Sequence, residues 1–176
     1  MRRLFDFRSV PRPARALILA NMLFWSVISY LLISHFALEA SEVVGPSMQP
    51  TLQDGDRYII NRWIYRWRDP RSGEIVALRM PGEDDLSVKR VVALPGDLVQ
   101  FKRGDVLVNG KPLKERYLAA GVSTYGQGLS DKAFKVADGC YFVLGDNRPA
   151  SEDSRVFGAI HRDWIVGRIG VKEDRK

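Results

Sequence analysis

Hydrophobic and polar positions fall into two regimes along the chain. From Ala16 to Leu38 no Asp, Glu, Lys or Arg interrupts an apolar run of 23 residues. As a helix this run would be about 35 Å long, slightly more than the roughly 30 Å of a bilayer's hydrocarbon. The pattern predicts one tilted transmembrane helix. Asn21, Ser26, Ser29 and Ser34 soften its apolarity, but a helix returns serine hydroxyls to its own carbonyls. A buried core helix is the competing reading. A cleaved secretory signal fits less well, because its apolar part is normally about 7–15 residues long and is followed by small residues at −3 and −1. Cutting after Ala40 would put Leu38 at −3, and cutting after Ala37 would put His35 there.

Beyond Leu38 the long apolar run gives way to short ones. Tyr58–Ile60, Glu74–Leu78, Val88–Ala93, Leu98–Phe101, Val106–Val108 and Tyr141–Leu144 read as strands. Between them stand the turn signals Asp54-Gly55, Pro95-Gly96, Arg103-Gly104, Asn109-Gly110 and Asp138-Gly139. Asn109-Gly110 before Lys111–Leu113 predicts a two-residue hairpin. No long stretch there carries a helical period. The expected class is therefore mainly β, an antiparallel β-barrel or sandwich with one N-terminal transmembrane helix. Residues 114–137 are more polar and glycine-rich, which suggests a small insertion around 104–138.

Composition alters this picture at one point only. The chain of 176 residues has a formal charge of +6, which invites a nucleic-acid reading. Residues 1–15 account for most of it, with five arginines against Asp6, and residues 39–176 keep 22 basic against 20 acidic side chains. The basic character belongs to the tail. Arginines before the apolar run, and Glu39 and Glu42 after it, orient the helix by the positive-inside rule. The expected organisation is a cytoplasmic tail (1–15), an anchor (16–38) and an exported β-domain (39–176). Ile59 to Arg68 interleaves aromatics and arginines, a mixture suited to lipid headgroups, with a plain packed hairpin as the alternative. The single cysteine, Cys140, sits in an apolar run and reads as a buried structural thiol.

Three segments carry candidate chemistry. Gly45-Pro46-Ser47-Met48-Gln49-Pro50-Thr51-Leu52 holds a serine between two prolines on a stiff turn. In Ser87 to Asp97, strand alternation puts Lys89 on the face of Val91 and Ala93, an apolar neighbourhood for an ammonium group. Gly145 to Arg155 is a loop of glycine, serine and charges after a hydrophobic strand. Taken singly, each also fits an ordinary loop, a solvated edge lysine or a surface ion-pair loop.

Together and in this order, the segments resemble the type I signal peptidases of the serine-lysine dyad class. The likeness runs through the anchor, Ser-Met-x-Pro-Thr-Leu, Lys-Arg-Val-Val-x-Leu-Pro-Gly-Asp and Gly-Asp-Asn-Arg…Ser-x-Asp-Ser-Arg. It implies a membrane-bound serine endopeptidase that removes leader peptides from exported preproteins. Ser47 would be the nucleophile, Lys89 the general base and Ser151 a hydroxyl orienting the Lys89 amine. Asp146, Arg148, Asp153 and Arg155 would form a charged brace around them. Some members have a serine where this chain has Gly45, so the Ser47 backbone amide would carry more of the oxyanion stabilisation. The resemblance further implies extended substrates with small residues at −1 and −3, docked by β-augmentation. Membrane lipid and the secretion translocon are the expected partners, in the bacterial plasma membrane with the domain on the extracytoplasmic side. No nucleic acid, cofactor or metal is expected.

Residue chemistry is consistent with this. Only His35 and His161 could supply an imidazole, and a Ser-His-Asp arrangement using His161 and Asp163 is disfavoured without being excluded. Two isolated histidines and one cysteine give no metal-ligand spacing. A lysine at its ordinary value of about 10.4 is neutral only ~1 time in 2,500 at pH 7, so the site must depress it. Three alternatives stay open: a maturation peptidase for pilin or conjugation-system subunits, a self-cleaving repressor peptidase, which would be soluble, and a non-enzymatic anchored β-domain.

Overall fold

The computed structural model describes residues 11–127 and 133–170, without the side chains of Arg12 and of residues 32–38. Most of the expected basic tail, part of the expected insertion and the His35 side chain lie outside what is described. The chain divides into two units, one ending at Leu38 and the other starting at Glu39.

The first unit is helix α1 (Arg12–Ala37). Pro13 is tolerated in its first turn, where the missing N–H has no helical partner to lose. From Pro13 to Leu31 the mean hydropathy is 1.5 and none of the helix is buried. Leu17 and Tyr30 are about three-quarters exposed. By length and composition α1 is able to cross a membrane.

The second unit is built of strands β1 (Leu38–Glu42), β2 (Arg57–Asn61), β3 (Ile75–Leu78), β4 (Ser87–Ala93), β5 (Leu98–Lys102) and β6 (Asp105–Val108). These continue as β7 (Lys111–Pro112), β8 (Phe134–Lys135), β9 (Cys140–Leu144), β10 (Ile160–His161) and β11 (Ile165–Gly170). All six strands expected from the alternation are present. Their order is β1-β2-β11-β3-β4-β9-β10 in a seven-stranded sheet and β7-β6-β5-β8 in a four-stranded one. The pairings of β11 with β2 and β3, β3 with β4, and β4 with β9 are antiparallel. No barrel closes: β1 and β10 are the edges, and β10 is only two residues long. The Asn109-Gly110 hairpin forms with both residues at positive φ, and Val108 faces Lys111 across it. Strands β6, β7 and β8 of the smaller sheet fall within residues 104–138, and β5 precedes them.

Three apolar clusters hold the unit together. Met48, Val43, Leu52, Ile60 and Val88 share the first. Val91, Val76, Tyr141 and Val143 share the second, and Val92, Ala93, Val99 and Phe142 the third. A β-bulge against β9 lies between Val91 and Ala93. Ala93 therefore pairs with Phe142 and packs with Val92, instead of sharing the face of Lys89 and Val91 as simple alternation predicts. Lys89 faces Val76 across β3, so Val76 takes the wall position that the sequence assigned to Ala93. Cys140 is half-buried against the third cluster, less enclosed than expected, because it opens β9 beside the short edge strand β10. The arginine and tryptophan run makes no hairpin but a short helix, α2 (Ile64–Trp67), with Tyr65 buried and Trp67 exposed.

Candidate active site

Ser47 lies in the turn between β1 and β2. Met48, fully buried in the first cluster, fastens the turn to the core; burying such a side chain contributes roughly 1.5–3 kcal/mol. Gly45 turns the backbone at φ 90°, a conformation that disfavours any side chain, and its N–H donates to Asp54 Oδ1 at 2.7 Å. From the other side, Asn147 holds the turn by two donations, N–H to Ser47 O at 3.0 Å and Nδ2 to Pro46 O at 3.2 Å. The Ser47 N–H itself has no acceptor among the hydrogen bonds of the described residues.

Lys89 comes from the middle of β4, where flanking strands β3 and β9 bury all but 6% of it. Its Nζ is 3.5 Å from Ser47 Oγ. Burial pushes the ammonium below the ordinary lysine value, while Asp153, Glu152 and Glu83 pull it part of the way back. Arg90, the adjacent like charge, is turned away and neutralised: Nε and Nη2 grip Asp146 at 2.9 and 2.6 Å, and Nη1 donates to Gly73 O at 2.8 Å. The Thr51 hydroxyl donates to the same carboxylate at 2.5 Å.

The segment after β9 is braced from inside. Asp153 Oδ2 accepts Gly145 N–H at 3.0 Å, and Arg148 Nε donates to Gly145 O at 2.8 Å. Arg155 grips Asp153 with Nε at 2.8 Å and Nη2 at 2.9 Å, and Nη2 also donates to Arg148 O and Ser151 O. Asp146, Arg148, Asp153 and Arg155 are all buried. Such charges are tolerable only because each is paired and hydrogen-bonded. Gly145 is required: a Cβ there would lie 2.1 Å from Ser151 Oγ and 2.6 Å from Ser47 O. Ser151 is thus packed beside the Ser47 turn. The hydrogen bond expected between it and Lys89 is not made, and its buried hydroxyl has no partner.

Ser47 and Lys89 both line a groove of about 520 Å³. Its other lining residues are Glu39, Ser41 to Val44, Tyr58, Arg79 and Asp84 to Val88. His161 is elsewhere, paired with Cys140 at the β9–β10 edge and bonded through Nδ1 to Asp163 N–H at 3.3 Å. No group of His, Cys, Asp or Glu among the described residues is arranged to hold a metal. Sequence reasoning missed Thr51, Glu115, Tyr117, Thr124 and Ser154. Of these only Thr51 and Ser154 lay inside a recognised motif, and Ser154 Oγ accepts Val143 N–H at 2.9 Å, tying the loop back to β9.

The signal peptidase, peptidase S26 family matches residues 16–172. A probable signal peptidase I-2 of Synechocystis sp. is 43% identical over 84% of this chain and 68% of its own length. Signal peptidase I of Leptolyngbya laminosa is 38% identical over 84% and 74%, and signal peptidase IB of Staphylococcus aureus 35% over 80% of each. The crystal structure of a signal peptidase I from Enterococcus faecalis, 34% identical, covers 57% of this chain and 97% of that one with a TM-score of 0.48. A mainly β domain with these relatives is a peptidase. The chain belongs to the signal peptidase family, peptidase S26.

Proposed function

We propose that this protein is a membrane-anchored serine endopeptidase that removes signal peptides from exported preproteins, with Ser47 as nucleophile and Lys89 as general base. The observation that carries the reading is the 3.5 Å approach of a buried lysine amine to the Ser47 hydroxyl. Neutral Lys89 takes the Ser47 proton as Oγ attacks the scissile carbonyl, and its ammonium then gives that proton to the leaving amine. A water activated by the same amine releases the acyl group. The free Ser47 N–H donates to the oxyanion. The 3.5 Å distance is long for proton transfer, as substrate-free sites often are, and shortens when a peptide closes the groove. The Ser151 hydroxyl, without a partner in the substrate-free site, turns to the amine and orients it by one hydrogen bond when substrate is bound, and the Asp146, Arg148, Asp153 and Arg155 charges brace the turn. The names of the relatives support signal peptides as the substrate class; extended binding with small residues at −1 and −3 belongs to the same proposal.

Exposed apolar side chains along α1 support its role as anchor, and the arginine-rich residues before it support a cytoplasmic N-terminus with residues 39–176 on the export side. Protease protection in right-side-out and inside-out vesicles tests this; digestion of the β-domain from the cytoplasmic face would overturn it. For the chemistry, detergent-solubilised protein is incubated with preprotein. Ser47→Ala and Lys89→Ala are each expected to fold and to lose at least about 10²-fold in rate. Lys89→Arg fails as well, since guanidinium keeps its proton. Wild-type cleavage by any of the three removes the dyad.

A further inference from the structure

Between β7 and β8, Glu115, Tyr117 and Thr124 reach the buried charges. Arg90 spends its donor edges on Asp146 and Gly73, which leaves the flat face of its guanidinium. The Tyr117 ring covers that face, with the guanidinium carbon 4.0 Å from the ring centroid. Tyr117 is itself held, its hydroxyl donating to Glu115 Oε1 at 2.9 Å. Glu115 Oε1 also accepts from Arg148 Nη2 at 2.5 Å, and Arg148 Nη1 donates to Thr124 Oγ1 at 2.6 Å. The line from Tyr117 runs through Arg90 and Asp146 to Thr51, and from Glu115 through Arg148 to Gly145.

These contacts converge on the two chain segments whose separation sets the chemistry. Arg90 follows Lys89 directly, and Thr51 stands four residues after Ser47 in the same turn. Asp146 takes hydrogen bonds from both. We propose that Tyr117 is a positioning residue for the Ser47/Lys89 pair, holding Arg90 face-on so that its two-pronged grip on Asp146, and through Asp146 on Thr51, keeps the lysine strand and the serine turn in register. This rests on reading Ser47 and Lys89 as the reacting pair. Stacking on an aromatic face is worth most when the guanidinium is desolvated, as here. A displacement of about 1 Å between reacting groups can cost up to 10²-fold in rate. Tyr117 is not among the residues lining the groove, so its effect falls on turnover and not on substrate capture.

The test compares Tyr117→Phe and Tyr117→Leu in the full-length, detergent-solubilised protein, cleaving a peptide with small residues at −1 and −3. Tyr117→Phe keeps the ring and is expected to retain most of the rate. Tyr117→Leu is expected to lose about tenfold in kcat with KM within twofold, at a temperature where both variants are folded by circular dichroism. In an Arg90→Gln background the same leucine substitution should cost nothing further, because residues acting through one contact are not additive. Equal kcat for the phenylalanine and leucine variants would overturn the inference, as would a loss confined to KM or an undiminished cost in the Arg90→Gln background. Should the Arg90→Gln protein not fold, the phenylalanine and leucine pair still decides. Activity in Ser47→Ala would instead sink the dyad beneath it, so the two failures are told apart.

Discussion

Lys89 makes the link between burial and chemistry measurable at the scale of one residue. Its folded-state proton affinity is depressed by burial, whereas the unfolded chain gives it the ordinary value. Below both values each state carries the proton, and folding bears the full cost of burying the charge. Between them the folded state has released its proton and the unfolded state has not, so stability rises with pH across that window. Lys89→Met, which removes the charge and keeps the bulk, is therefore expected to melt at or above the wild-type temperature near neutral pH, with the gap closing as pH approaches the ordinary lysine value. Thermal melts at several pH values check this, and a gap that widens with pH would contradict it. In the proposed mechanism only the neutral amine accepts the serine proton, so the rate of wild-type cleavage should rise through the same folded-state ionisation. A rising limb that survives in Lys89→Ala but disappears in His161→Ala would transfer the role of base to the imidazole.

At the scale of elements, the turn that carries Ser47 and the loop that follows β9 are fitted face to face. Gly145 is where they touch, and Gly145→Ala would drive a methyl group to within 2.1 Å of Ser151 Oγ and 2.6 Å of Ser47 O. Overpacking of this kind costs about 1–3 kcal/mol, and the displaced turn should lower kcat by up to roughly 10²-fold. Denaturant unfolding and steady-state kinetics test the two effects separately; wild-type values for both would mean that the contact is slack. The alternation of apolar and polar residues made six strands legible, yet β1 and β11 were not foreseen. β1 reads Leu-Glu-Ala-Ser-Glu, with little strand propensity, and pairing with β2 makes it a strand. β11 contains Gly167 and Gly170, which break a strand pattern; Gly167 stands where a Cβ would strike Ile60 and Asn61. The bulge that redirects Ala93 depends on β9, a partner some fifty residues away in the chain, and a local pattern holds no record of it.

Across the whole molecule, the motifs singled out Ser47 and Lys89, which approach to 3.5 Å, and four charged residues that are buried, because those segments are short and contiguous. What they could not disclose is how the charges pair, since Arg90 with Asp146 and Arg148 with Glu115 join distant parts of the chain. Those pairs, with Arg155 and Asp153, are almost entirely enclosed: side-chain exposure is 10% and 0% for Arg90 and Asp146, 1% and 12% for Arg148 and Glu115, and 2% and 0% for Arg155 and Asp153. Dissolved ions weaken only those interactions that they can surround. At about 1 M salt, where the screening length is about 3 Å, a scaffold of exposed ion pairs would loosen. Here kcat is expected to stay within about twofold of its low-salt value, and a steep fall would mean that the brace is open to counterions. In the proposed topology the β-domain lies on the outer face of the membrane and meets whatever ionic strength its surroundings impose. With these charges sealed away from solvent, a turnover indifferent to the salinity outside the cell is the expected consequence.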